Sequence, residues 1–210
     1  MNKKERAKNV IDIFNRIYPE TKCTLNYETP LQMLIATQLS AQCTDARVNI
    51  VTETLFKKYP DCEAFANADY EELCEDIRST GFYRNKAKNI ILCAKRLIEV
   101  YDCQVPDTME DLLSLPGTGR KTANLVLGDI FGQPAVVVDT HCMRLSRRIG
   151  LTTNETPEKI EFDLKKIVPP EYQLSLCHQL VNHGRLVCTA RAPKCEICQV
   201  NSLCKTYSKK

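Results

Sequence analysis

Leu115-Pro116-Gly117-Thr118-Gly119-Arg120-Lys121-Thr122-Ala123 is the most informative run of this 210-residue chain. A helical pattern ends at Leu115 and another starts near Arg120. The proline and two glycines between them permit a tight turn through left-handed backbone. Backbone N–H groups at such a turn, opening onto a helix N-terminus, can cradle a phosphate. The run lacks the spacing of a Walker loop. A helix–hairpin–helix gripping a nucleic-acid backbone is the better match, and an ordinary helix–helix turn is the plain alternative. Lys121 falls in the first turn of the second helix. There the positive end of the helix dipole and Arg120 disfavour a further positive charge, and an amine so placed can serve as a nucleophile.

Outward from the hairpin the hydrophobic period is helical almost throughout. Val10, Phe14 and Ile17 share a face. Thr29-Pro30 reads as a cap followed by proline at the first helical position, with Leu31, Leu34, Ile35 and Leu39 continuing the helix. Ile90, Ile91, Ala94, Leu97 and Ile98 mark a helix over residues 86–101. Thr108 to Asp111 resembles a capping box ahead of Leu112 and Leu113. Thr156-Pro157 repeats the cap-then-proline signal. Ala135-Val136-Val137-Val138 reads as an extended connector or a short strand, but no alternating segment offers it a partner. The fold class expected is therefore all-α. Downstream, Val138-Asp139-Thr140-His141 places Asp139 where an extended segment meets a helix. That is a normal N-cap position, and capping alone would explain it.

Four of the 12 cysteines, Cys188, Cys195, Cys198 and Cys204, are spaced C-x6-C-x2-C-x5-C. Four thiolates can close a tetrahedral zinc shell or hold the corners of an iron–sulfur cluster. A zinc ribbon usually has two C-x2-C pairs, and this segment has one. Most of the other eight cysteines read as small buried hydrophobes. No 18-residue apolar run is present, which excludes a membrane-spanning helix. With no export signal visible, a reducing cytoplasm suits the thiols better than a disulfide framework.

The net charge of 29 − 26 = +3 is small. Locally, acids dominate residues 61–78. Bases dominate residues 185–210 (Arg185, Arg191, Lys194, Lys205, Lys209, Lys210), with further clusters at Arg84, Lys86, Lys88, Lys95 and Arg96 and at Arg144, Arg147 and Arg148. Any one cluster reads as a solvated helix face. Together they suggest one basic side facing a polyanion.

The hairpin, then Val138-Asp139-Thr140-His141, then the four cysteines, resembles the endonuclease III family in order and spacing. Leu39-Ser40-Ala41-Gln42 with Thr44-Asp45 is similar to that family's early motif. The resemblance implies a helix–hairpin–helix DNA glycosylase fold with two helical domains flanking a DNA-binding groove. One would be a six-helix domain over residues 22–133 with the helix–hairpin–helix at its end. The other would join residues 1–21 to 134–210 and carry a 4Fe–4S cluster on Cys188, Cys195, Cys198 and Cys204. The implied substrate is double-stranded DNA containing a damaged pyrimidine or abasic site, handled by a monomer in the cytoplasm, nucleoid-associated through its DNA. The implied activity is base excision repair by a DNA glycosylase with AP lyase action, Lys121 attacking the sugar and Asp139 stabilising positive charge. Gln42 would fill the space left by the flipped base. Phe82 stands where the family places an apolar wedge, commonly leucine, although a core aromatic is its plain reading. Gly117, Gly119 and Arg120 would hold a phosphate, and Arg191 and Lys194 would contact the backbone. A mismatch-specific glycosylase of the same superfamily and a non-catalytic metal-cluster DNA-binding protein are the rival readings. A 4Fe–4S core on four thiolates contributes about −2 in its resting state, leaving a near-neutral holoprotein.

Overall fold

The computed structural model describes residues 1–208. These form eleven α-helices: α1 (Lys3–Ile17), α2 (Pro30–Leu39), α3 (Asp45–Lys58), α4 (Cys62–Ala66), α5 (Tyr70–Asp76), α6 (Tyr83–Tyr101), α7 (Met109–Ser114), α8 (Arg120–Asp129), α9 (Thr140–Ile149), α10 (Pro157–Ile167) and α11 (Gln173–Leu186). Single 3-10 turns lie at Arg78–Thr80, Pro170–Tyr172, Cys195–Ile197 and Asn201–Leu203. No strand occurs among the described residues, as the all-α reading expected. Ala135 to Val138 form a buried, extended connector between α8 and α9. No helix of the described residues is long and apolar enough to cross a membrane.

The caps follow the sequence signals. Thr29 accepts from the Gln32 N–H at 3.2 Å, and Pro30 supplies the fixed φ of the first helical position. Thr108 accepts from the Asp111 N–H at 3.1 Å and donates to the Asp111 carboxylate at 2.6 Å. Such a cap contributes about 1 kcal/mol.

The chain forms two compact units. The first runs Thr24–Phe131 and holds α2 to α8. Its centre is α2, whose Met33, Leu34, Ile35, Ala36 and Leu39 are fully buried. A helix buried all round needs neighbours on every side, and α3, α6 and α8 supply them. Helices α4 and α5 cover the stripe of α6 made by Ala87, Ile90, Cys93, Ala94 and Leu97. The second unit joins Met1–Cys23 to the chain from Gly132 onward. There α1 lays Val10, Ile11 and Phe14 toward α10 and α11, and α9 packs on α11. The approach of α9 to α11 depends on Gly184. A Cβ there would meet His141 Nδ1 at 2.6 Å.

Candidate active site and cysteine loop

The hairpin between α7 and α8 is seated on its own unit by Gln38 of α2. The Gln38 amide donates to the Pro116 carbonyl at 3.2 Å and the Thr118 hydroxyl at 3.3 Å. Gly117 has φ +78°, and a Cβ on it would lie 2.9 Å from Asn89 Cβ. Both the backbone angle and the close approach therefore require glycine. Gly119 occupies the cap position of α8, and no described side chain caps that terminus. A glycine cap leaves the backbone at the start of α8 uncovered by a capping side chain, the kind of helix end that can bind an anion. Lys121 is the second residue of α8 and is exposed, whereas Thr122 to Gly128 are buried.

Beside the hairpin is a cavity of about 260 Å³ lined by Gln38, Gln42, Phe82, Asn85, Lys86, Asn89, Ala41 and Gly117. The structure thus brings Gln42, Phe82 and Gly117 together. Gln42 is exposed on the turn after α2, with φ +55°. Phe82 opens α6 with φ +49° and is 64% exposed. The core reading of Phe82 is therefore overturned. Lys86 also departs from the sequence reading. Counted there among surface bases, it is 6% exposed, and its ammonium donates to the Leu39 and Thr80 carbonyls at 2.8 Å each. Burial pulls Lys86 below the ordinary lysine range. A sequence signal existed: Lys86 lies in register with Ile90, Cys93 and Leu97, the buried stripe of α6. Asn85 and Asn89, one turn apart on α6, had no such signal.

In the other unit Asp139 is half-buried and caps α9, its carboxylate accepting from the Cys142 N–H at 2.7 Å. His141 follows it. Burial holds His141 below the usual imidazole range, and its Nδ1 lies 3.2 Å from Arg144 Nη2.

Cys188, Cys195, Cys198 and Cys204 all line one cavity of about 210 Å³. Among the described residues no three His, Cys, Asp or Glu groups gather closely enough for a single metal ion. Four half-buried thiols around one shared volume fit the corners of a multi-iron cluster, each iron taking one thiolate. The surrounding loop is held by two arginines of α9. Arg144 donates to the Cys188 carbonyl at 3.0 Å and the Gly184 carbonyl at 3.1 Å. Arg148 donates to the Thr189 and Ala190 carbonyls at 2.8 Å each, and its Nη1 lies 3.4 Å from Cys188 Sγ. These two bases are therefore engaged with the loop rather than free for a polyanion. On the opposite side Nε2 of buried His183 lies 3.3 Å from Cys198 Sγ, while its Nδ1 is 3.0 Å from the Tyr18 hydroxyl. Burial pushes His183 down to about 4. Arg191 and Lys194 are exposed on the loop. Lys209 and Lys210, counted in the basic run, lie outside the described residues. Cys62, Cys74, Cys93, Cys142 and Cys177 are buried. Burial pushes the Cys62 and Cys93 thiols up to about 12, which suits packing rather than reactivity.

Comparison with known proteins agrees with this geometry. Residues 35–170 match the HhH-GPD superfamily of base excision DNA repair proteins, and residues 188–204 match the iron–sulfur binding domain of endonuclease III. The chain is 51% identical to endonuclease III of Synechocystis sp., covering 97% of this chain and 93% of the relative. It is 43% identical to endonuclease III of Bacillus subtilis over 95% of this chain and 92% of the relative. A trapped endonuclease III–DNA covalent intermediate superposes with a TM-score of 0.94 at 41% identity, covering 100% of this chain and 99% of that one. These matches, with the hairpin and the four-cysteine cavity, favour a cluster-bearing DNA glycosylase and lyase over a non-catalytic binding protein. The chain belongs to the endonuclease III family of base excision DNA repair proteins and carries that family's 4Fe–4S domain.

Proposed function

We propose that this enzyme removes oxidised or otherwise damaged pyrimidines from duplex DNA and then cuts the strand 3′ to the abasic site, acting as a monomer on cytoplasmic, nucleoid DNA. The observation that carries the reading is Lys121, exposed in the first turn of α8, directly after a hairpin whose capping residue, Gly119, has no side chain. A glycosylase must take the base out of the stack to reach C1′, at a cost of a few kcal/mol that is least for damaged bases. Phe82, exposed and aromatic, enters the base step, and Gln42 occupies the vacated space. Backbone N–H groups at Gly117 and Gly119, with Arg120, grip a phosphate. Arg191 and Lys194 do so from the cysteine loop.

Lys121 Nζ then attacks C1′, the N-glycosidic bond breaks and the base leaves. Ring opening gives an imine between Lys121 and C1′. The imine acidifies the C2′ proton, and its removal expels the 3′ phosphate by β-elimination. Asp139 faces the positive charge that develops on the sugar and helps manage protons. Cys188, Cys195, Cys198 and Cys204 hold the 4Fe–4S cluster, whose contribution when bound is to shape the loop carrying Arg191 and Lys194.

The test is borohydride reduction of the imine. A covalent adduct is expected with duplex DNA containing an oxidised pyrimidine, and none with Lys121→Ala. Equal trapping by the alanine variant would sink the mechanism. A panel of oxidised, hydrolysed and mismatched pyrimidines tests the substrate class, with preference for a normal thymine mispair as the opposing result.

A further inference from the structure

Lys86 stands out because the reaction as described does not use it. It is a nearly buried ammonium, and its two hydrogen-bond partners are backbone carbonyls. No described carboxylate pairs with it. Each carbonyl closes a helical segment: Leu39 ends α2, and Thr80 ends the 3-10 turn Arg78–Thr80. The cation thus sits at two negative helix ends at once. Three residues after Leu39 comes Gln42, and two residues after Thr80 comes Phe82. Among the described residues, four non-glycines have positive φ, and Gln42 and Phe82 are two of them. Backbone in that region persists only where its surroundings impose it. Gln42, Phe82 and Lys86 also line the same cavity.

We propose that Lys86 is a positioning residue: its ammonium ties the end of α2 to the turn before α6 and so fixes the spacing between Gln42 and Phe82, the two side chains that enter the DNA. The inference rests on the insertion roles assigned above to those two residues. Lys86 touches neither DNA nor the reacting sugar. Its effect passes through the carbonyls of Leu39 and Thr80. Without the charge, the two turns drift independently, and the enzyme still binds duplex but opens the base step poorly.

A double-mutant cycle tests this on the intact holoenzyme. Single-turnover excision of an oxidised thymine from duplex DNA is measured, with 2-aminopurine fluorescence beside the lesion reporting unstacking. Gln42→Ala/Phe82→Ala is expected to slow excision and suppress the fluorescence rise. Lys86→Met is expected to slow excision by about tenfold in the native background but less than about twofold in the Gln42→Ala/Phe82→Ala background, because residues acting as a unit are not additive. A Lys86→Met loss of equal size in both backgrounds overturns the proposal and assigns Lys86 to general stability. Full activity of Gln42→Ala/Phe82→Ala overturns the insertion reading itself, a separate result. Urea midpoints check that each variant is folded. If Lys86→Met is not, Lys86→Gln, a neutral side chain that keeps donors, carries the same cycle.

Discussion

Asp139 caps α9 and, on the mechanism proposed above, also carries the charge that faces the sugar; two substitutions pull these roles apart. Asp139→Ala removes both the cap of α9 and the carboxylate, and is expected to cost about 1 kcal/mol of stability. Asp139→Asn keeps an oxygen for the Cys142 N–H but removes the charge. Its thermal midpoint should stay near that of the native protein while excision falls steeply; a fall in the midpoint matching the alanine variant would contradict this. Gly117→Ala is expected to lose about 1–2 kcal/mol from the left-handed angle alone, with a further cost from the contact with Asn89. Calorimetry reads the sum. Lys121 and Asp139 stand out in sequence because turns and caps are local, written into neighbouring residues. Lys86 does not, because a lysine in a basic stretch looks solvated until its register with Ile90, Cys93 and Leu97 is followed. Arg144 and Arg148 escape for another reason: their partners lie about forty residues away along the chain.

Elements were legible where a cap and a period coincide. Thr29-Pro30 marks α2 to the residue. The run Ala135 to Val138 was not, because a short apolar stretch fits a buried strand and a buried connector equally. The cysteine spacing announces a metal loop but not its support, which comes from α9. Arg148→Met removes two bonds to the Thr189 and Ala190 carbonyls. Loss of such outer support typically weakens metal retention roughly 10–100-fold. Iron release to a chelator should therefore speed up while the far-ultraviolet helix signal is retained; unchanged release would show that the loop stands without Arg148. On α10, the Thr152 hydroxyl and the Asn154 amide donate to Asp163 and hold its carboxyl below the usual carboxylate range. A depressed folded value means the stabilisation is present above the unfolded pKa, about 3.9, and is lost as pH falls through the folded value. Asp163→Asn should flatten that acid limb in pH-dependent unfolding.

At the scale of the whole molecule, a net charge of +3 leaves DNA binding to the placement of charge. Part of the acidic stretch is balanced locally. Lys58 pairs with Glu72 at 2.8 Å and Asp76 at 2.6 Å, and Arg78 pairs with Glu75 at 2.9 Å. Affinity for duplex should fall as salt rises, with a slope of about 0.9 per phosphate neutralised. Arg191→Ala and Lys194→Ala should each shallow the slope by about one contact in fluorescence-anisotropy titrations. Unchanged slopes would remove those residues from the interface.

The unit containing the cysteine loop is built from both ends of the chain, Met1–Cys23 and Gly132 onward. On the ribosome this has a temporal cost. Helix α1 emerges before that unit's other helices, with Val10, Ile11 and Phe14 exposed along one face, and its partners in α10 and α11 follow only after Thr24–Phe131. At about 5–20 residues per second that apolar stripe waits roughly ten to thirty seconds, while the whole of Thr24–Phe131 is synthesised in between and free to fold. The nascent protein therefore completes its hairpin-bearing unit before its cluster-bearing one.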